Sequence, residues 1–210
     1  MTIDYRRQEA LKDLAIPRAA TVVGTGAVGC WVAYFAALAG TERLLLYTIG
    51  SVKHSDLARF PFAPDLLGKP YAFALPQVLL SVRPEIELII AGEFRLDTDR
   101  VEGVVFNCAA SDEVAFDLRL YELCQKEKLR YISGGYSEHT VYVTDHVPEV
   151  LPRPSLDPVP TWAGSAALAG LQAVYTSAAS SEEHFCRSVN LVAGTSELEV
   201  RLHVPDDYSR

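Results

Sequence analysis

The sequence predicts an α/β protein, a doubly wound and mostly parallel sheet flanked by helices, with antiparallel strands added near the C-terminus. Three observations carry this. Short continuous apolar runs alternate with helical patterns along most of the chain. The first strand-to-helix junction is a glycine turn, Gly24-Thr25-Gly26-Ala27-Val28-Gly29. The length, 210 residues, is that of one domain at roughly 100–200 residues each. Residues 1–210 therefore read as one unit, with 1–18 as an N-terminal arm and 145–161 as a crossover loop.

Taken in order, 19–24 is a β-type run ending in glycine and 27–39 a long apolar segment, which together give strand, tight turn and buried helix. Residues 43–47 form the continuous apolar run of a parallel strand covered on both faces. Residues 73–82 are helical in pattern, with Pro76 expected near the first turn, where its missing N–H is harmless. Third and fourth strands follow at 87–91 and 103–107, then an amphipathic helix at 112–127 capped by Ser111 or Asp112. A fifth strand, 129–133, is expected to stop at Gly134-Gly135, and 139–144 alternates as a sixth. The proline-rich stretch 145–160 reads as a surface loop. Helix returns at 165–179, and 189–193 with 197–203 reads as a closing hairpin around Gly194-Thr195.

Composition excludes several classes. With 49% apolar and 22% charged residues the chain is an ordinary globular protein, not disordered, collagenous or coiled-coil. Lys and Arg number 19 against 27 Asp and Glu, a net charge of -8, so no surplus of cations exists to displace counterions from nucleic acid. The longest apolar stretch, 27–39, falls short of the ~20 residues that span a bilayer, so no membrane partner is expected. The opening residues lack the apolar core of a signal peptide, which makes the cytoplasm the expected compartment. The four cysteines form no C-x-x-C pair and read as reduced thiols, Cys30 and Cys124 within apolar helical patterns. His54, His146 and His184 fall in predicted loops without matching metal ligands.

The glycine turn matches G-x-G-x-x-G directly after a strand and before a helix, the context in which that pattern holds phosphate. Gly24 permits the tight turn, Gly26 removes the side chain that would block a phosphate, and Gly29 lets helix and strand approach closely. The N–H groups of the helix then face an anion. A nicotinamide or flavin site would next place an acid at the end of the second strand. The chain has Tyr47-Thr48-Ile49-Gly50 there, with only Lys53 as a nearby cation, so an NAD(P)-dependent oxidoreductase ranks as a second alternative.

Ser55-Asp56-Leu57-Ala58-Arg59 and Gly68-Lys69-Pro70-Tyr71-Ala72 are the next motifs. With residues 8–13, Ile132-Ser133-Gly134, the helix at 166–174 and the strands at 189–202, they resemble the ThiF/MoeB family of adenylating enzymes, relatives of the ubiquitin-activating enzymes. In that family D-x-D-x-V-x-x-S-N-L-x-R follows the second strand, and G-x-P-K-A comes after it. The resemblance covers nearly the whole chain. It implies a Rossmann-like core that binds ATP and Mg2+ and attaches AMP to the C-terminal carboxylate of a ubiquitin-like or sulfur-carrier protein. In that reading Gly24, Gly26 and Gly29 cradle phosphate, Arg59 and Lys69 neutralise it, and Asp112 holds magnesium, Arg59 and Asp112 being the catalytic pair. Family members are dimers, which implies a homodimer or a pairing with a paralogue.

The chain departs from the family at several positions. The ribose-binding acid corresponds to Tyr47 counted from the strand, or to Thr48 counted from the arginine motif. The family asparagine is Asp56 and the family lysine is Tyr71. The magnesium aspartate corresponds to Ala110 counted from Asn107, or to Asp112 counted back from Ile132; Asp112 is preferred, because a one-residue loop insertion is cheaper than rotating a helix stripe by roughly 100°. The crossover loop holds no cysteine for thioester chemistry. These losses imply weak ATP binding, and with it the alternative of a catalytically degenerate subunit, a pseudoenzyme that binds a carrier or an active paralogue. Arg6 and Arg7 resemble the family arginine that reaches across the dimer, and they read equally as a solvated arm. Glu138 and His139 read as a strand edge over the pocket.

Overall fold

The structure, a computed structural model, describes residues 14–109, 114–137, 140–147, 163–179 and 186–190. Its elements are β1 (Ala19–Val23), α1 (Ala27–Ala39), β2 (Arg43–Tyr47), α2 (His54–Leu57), α3 (Tyr71–Val82), β3 (Glu87–Ala91), β4 (Val104–Asn107), α4 (Val114–Lys126), β5 (Tyr131–Ser137), β6 (Thr140–Thr144), α5 (Ala163–Ala178) and β7 (Cys186–Asn190). A short 3-10 turn covers Pro64–Leu66. They build one seven-stranded sheet in the order β3-β2-β1-β4-β5-β6-β7. The β3-β2-β1-β4-β5 part is parallel; β6 and β7 add on antiparallel. This is the doubly wound sheet with antiparallel C-terminal strands that the sequence predicts.

Both faces of the parallel part carry packed side chains, so the middles of its strands are mostly apolar. Val22, Leu44, Leu46, Phe106 and Ile132 face one core, closed by α1, α3 and α5. Val23, Leu45, Tyr47, Val105 and Tyr131 face the other, closed by Leu120 and Cys124 of α4. Thr21 is the polar exception in central β1. Its hydroxyl accepts from Glu102 N (2.8 Å) and donates to Glu102 O (2.9 Å), so burying it leaves no unmet hydrogen bond.

Helix α1 carries no charged residue because α3 and α5 flank it on the sheet. Gly170 of α5 makes that packing close: a Cβ there would stand 2.7 Å from Cβ of Trp31. Gly40, at φ 115, ends α1 by donating to Ala36 O and Ala37 O. Buried Arg83 adds a cation at the same helix end, donating to Thr41 O at 2.8 Å.

Four expectations need correction. The third helix starts at Tyr71, its first bonds running to Pro70 O, so Pro76 lies in the second turn and not the first. Its ring leaves the Ala72 carbonyl without a helical donor; Ala72 is exposed, so water can serve. The fifth strand does not stop at Gly134-Gly135 but runs on to Ser137, because β6 pairs with it through Gly134↔Val143 and Gly135↔Tyr142. The Tyr142 ring fills the space a Cβ on Gly135 would take. The last described strand begins at Cys186 and not at 189, pairing with β6 from Cys186 to Asn190, and residues 191–193 lie outside the described residues. His54 opens α2 and does not lie in a loop. The N-terminal arm to residue 13, Asp112, Glu138, His139, the crossover stretch 148–162, His184 and the second hairpin strand lie outside the described residues.

Candidate functional site

The carboxyl ends of β1, β2 and β4 meet at the glycine turn. Gly24 sits at φ 88 and donates to Tyr47 O at 3.1 Å, while Cys108 N donates to Val23 O at 2.8 Å. A side chain on Gly24 would press on the Ala109 backbone, with Cα only 2.7 Å away, and one on Gly29 would run into the Gly24 carbonyl. Both glycines are therefore steric necessities of the turn. Gly26 differs. Nothing lies within 4 Å of its missing side chain, and no side chain caps the N-terminus of α1, which has no acidic residue in its first turn. The turn thus presents free space in front of helix N–H groups, the arrangement that suits an anion.

Next to it, Tyr47 and Thr48 at the end of β2 turn to opposite sides of the sheet. Tyr47 points to the far side of the sheet, where its hydroxyl donates to Arg100 O at 2.7 Å and its ring meets Phe94 edge-on. Thr48 points to the glycine turn: Thr25 Oγ1 donates to Thr48 Oγ1 at 2.5 Å, and both residues are buried. Of the two, Thr48 is thus the residue that faces the glycine turn, its hydroxyl engaged by the turn itself.

The loop after β2 brings Asp56, Arg59 and Tyr71 together. Arg59 Nη2 donates to Asp56 Oδ1 at 2.8 Å and Arg59 Nε to Ser55 O at 3.0 Å. Tyr71 Oη donates to Asp56 Oδ2 at 2.5 Å, and so does Lys53 N at 2.8 Å. Arg59 O accepts from Trp31 Nε1 at 2.6 Å, which ties the cluster to α1 just past its first turn. Burial works against the Arg59 charge, but the Tyr136 hydroxyl of β5 and Asp56 outweigh it and hold its pKa above the ordinary arginine value. Burial, then the bond to Asp56, pushes the Tyr71 phenol far above the usual tyrosine range, so it remains a donor. Lys69 is exposed, and among the described residues no acceptor holds its ammonium; its backbone pairs with Val52 and Leu66.

Cys30 lies under the turn, its thiol donating to Thr25 O at 3.2 Å. Burial first, and Asp56 second, pushes its pKa far up, and burial pushes Cys108 up to about 12. Neither is a thiolate nucleophile at neutral pH. Cys30 and Cys124 are buried, as their helical patterns predict.

Of the predicted site residues, the structure joins Gly24, Gly26 and Gly29 in one turn and sets Arg59 beside α1, while Lys69 stays on the outer loop. Asp112 follows the described Ala109 but lies outside the described residues. Among the described residues no group of three or more metal-ligating side chains occurs. The glycine turn leaves open space at Gly26 before an uncapped helix, and the end of β2, Tyr47-Thr48, carries no acid. Sequence reasoning missed Tyr136, two residues past Gly134, and the Thr25–Thr48 hydroxyl pair.

Comparison with known proteins settles the family. The pattern of the ThiF family matches residues 2–155. The chain belongs to the ThiF family. Among curated relatives, the heterocyst HesA protein of Trichormus variabilis is 25% identical over 136 residues, covering 62% of this chain and 51% of HesA. The vegetative HesA of the same organism is 25% identical over 150 residues, covering 69% and 55%. The chain spans about half the length of these relatives. Among solved structures, PaaA superposes with a TM-score of 0.67 at 13% identity over 85% of this chain and 62% of PaaA. Escherichia coli MccB with succinimide gives 0.60 at 15% identity, covering 88% and 65%. MccB has also been solved with ATP and with N-formylated MccA. These likenesses show a shared Rossmann-like fold. Among the described residues no helix is long and apolar enough to cross a membrane.

Proposed function

We propose that this ThiF-family chain receives the phosphates of a nucleotide on its glycine turn and the C-terminal carboxylate of a ubiquitin-like or sulfur-carrier protein beside it. Its hold on ATP is weakened. The single observation that carries this reading is the uncapped α1 N-terminus with open space at Gly26, framed by Gly24 and Gly29. Full adenylation in this pocket would run by attack of a carboxylate oxygen on the α-phosphorus. The α–β phosphoanhydride bond breaks and pyrophosphate departs. Arg59 and Lys69 would offset that charge, and Asp112 would hold Mg2+. The solved complexes of MccB with ATP and with MccA support both halves of the reading.

One observation favours a second reading, a binding or regulatory subunit paired with a second copy, an active paralogue or the carrier. The β2 end holds Thr48 where an acid would grip ribose, and Tyr71 turns its hydroxyl to Asp56. Removing one charge-assisted hydrogen bond costs about 1.5–3 kcal/mol, or roughly 10- to 150-fold in affinity.

Calorimetric titration with Mg-ATP tests the pair of readings. Micromolar binding that Arg59→Ala and Asp112→Ala abolish supports the adenylating enzyme. Weak or absent heat, with retention of a Gly-Gly-ended carrier in a pull-down, supports the binding subunit. A preference for NAD(H) over ATP overturns both and leaves only the fold.

A further inference from the structure

Asp56 and Arg59 do not behave as two independent site residues. The Asp56 side chain is 9% exposed, and its carboxylate has donors on both oxygens: Arg59 on one, Tyr71 and the Lys53 amide on the other. A carboxylate that swings away would leave a half-buried phenol and an amide unmet, which is costly. Arg59 is tied into the same loop, donating to Ser55 O, to Ser55 Oγ at 3.2 Å and to Asp56. Its positive charge is therefore matched within the fold before any ligand arrives. An anion approaching Arg59 meets a fixed carboxylate bonded to the cation it seeks, and each added negative charge on the ligand increases that repulsion. The open glycine turn, which works through backbone N–H groups, keeps its attraction for one phosphate.

Resting on the nucleotide reading above, we propose that Asp56, positioned by Tyr71, is the specificity-determining residue of this pocket. It is a built-in counter-anion that makes the site prefer a ligand with one phosphate, a nucleoside monophosphate or an acyl adenylate, over a triphosphate. Asp56 sets the charge the pocket tolerates; Tyr71 acts through it.

Titrating Mg-ATP, AMP and inorganic pyrophosphate into the wild-type chain, Asp56→Asn, Tyr71→Phe and the Asp56→Asn/Arg59→Ala double variant tests this, with melting curves checking each fold. Asp56→Asn is expected to raise affinity for ATP and pyrophosphate by at least about tenfold, the worth of one charge-assisted hydrogen bond, and to change AMP much less. Tyr71→Phe should shift ATP in the same direction by a smaller factor, and the double variant should cancel the gain. If Asp56→Asn does not fold, the Tyr71→Phe result decides. The proposal is overturned if ATP and pyrophosphate binding stay level or fall, or if the gain survives loss of Arg59. AMP and ATP binding that ignores Asp56→Asn overturns it too, and leaves the nucleotide reading intact. A pyrophosphate gain with no nucleotide bound by any variant upholds the counter-anion and removes that reading.

Discussion

The glycine turn and the loop that follows β2 are neighbours at one edge of the sheet, yet they are built by different means. The turn is a backbone device: Gly24 against Ala109, Gly29 against the Gly24 carbonyl, and helix N–H groups left open at Gly26. The loop is mainly a side-chain device in which Asp56, Arg59 and Tyr71 satisfy one another, with the Lys53 backbone amide donating to Asp56. A steric device has few substitutes, because adding any Cβ collides with backbone that cannot yield. A charge device can be rewired by one or two substitutions while the fold stays intact. The glycine turn of this chain therefore keeps the G-x-G-x-x-G pattern, whereas the charges around it differ from those of the family motifs.

The largest effect should come from breaking the turn. Gly29→Val would force helix α1 off β1, and the expected cost is at least about 3 kcal/mol or outright failure to fold, read from denaturant unfolding. If this variant melts like the wild type, the close approach is not what the turn depends on.

A smaller effect should appear with pH, because thiols lie beneath or beside the turn and none lies in the loop. Burial holds the pKa values of Cys30 and Cys108 above their unfolded values, so their contribution to stability is full below about pH 8.5 and is lost as the pH rises from there toward the folded values. Each thiol lowers stability by up to roughly 1.4 kcal/mol per pH unit in that window. Melting temperatures at pH 8, 9 and 10 should fall progressively, and Cys108→Ala should flatten the decline. An unchanged slope in that variant would show that the turn is wetter than its packing implies.

The smallest effect belongs to the loop's outer cation. Lys69→Ala should leave unfolding free energy within about 0.5 kcal/mol, as exposed side chains without partners do. Any fall in ATP affinity should be only a few-fold, since a solvated ammonium contributes about 1 kcal/mol or less. A hundredfold fall would mean that Lys69 swings into the pocket and that the loop, not the turn, dominates binding.

The strand-turn-helix at 19–39, the run of parallel strands and the place of the glycine turn were legible in the chain before any packing was known. Those depend on local pattern: apolar runs of strand length, a helix-length apolar segment, and glycines at fixed spacing. The motifs that place the chain in its family are local in the same sense. Which of Tyr47 and Thr48 faces the turn is a matter of packing, because strand parity gives opposite faces to adjacent residues and the seating of Tyr47 toward Arg100 fixes which is which. Packing also carried β5 through two glycines, since β6 pairs along both and the Tyr142 ring of that strand fills the space at Gly135. Above all it joined Asp56 to Tyr71, fifteen residues on, and the Trp31 side chain of α1 to the Arg59 carbonyl. Side-chain pairing across separate elements leaves no periodic trace in a chain, because it is set by how the elements pack and not by the spacing of the residues along them.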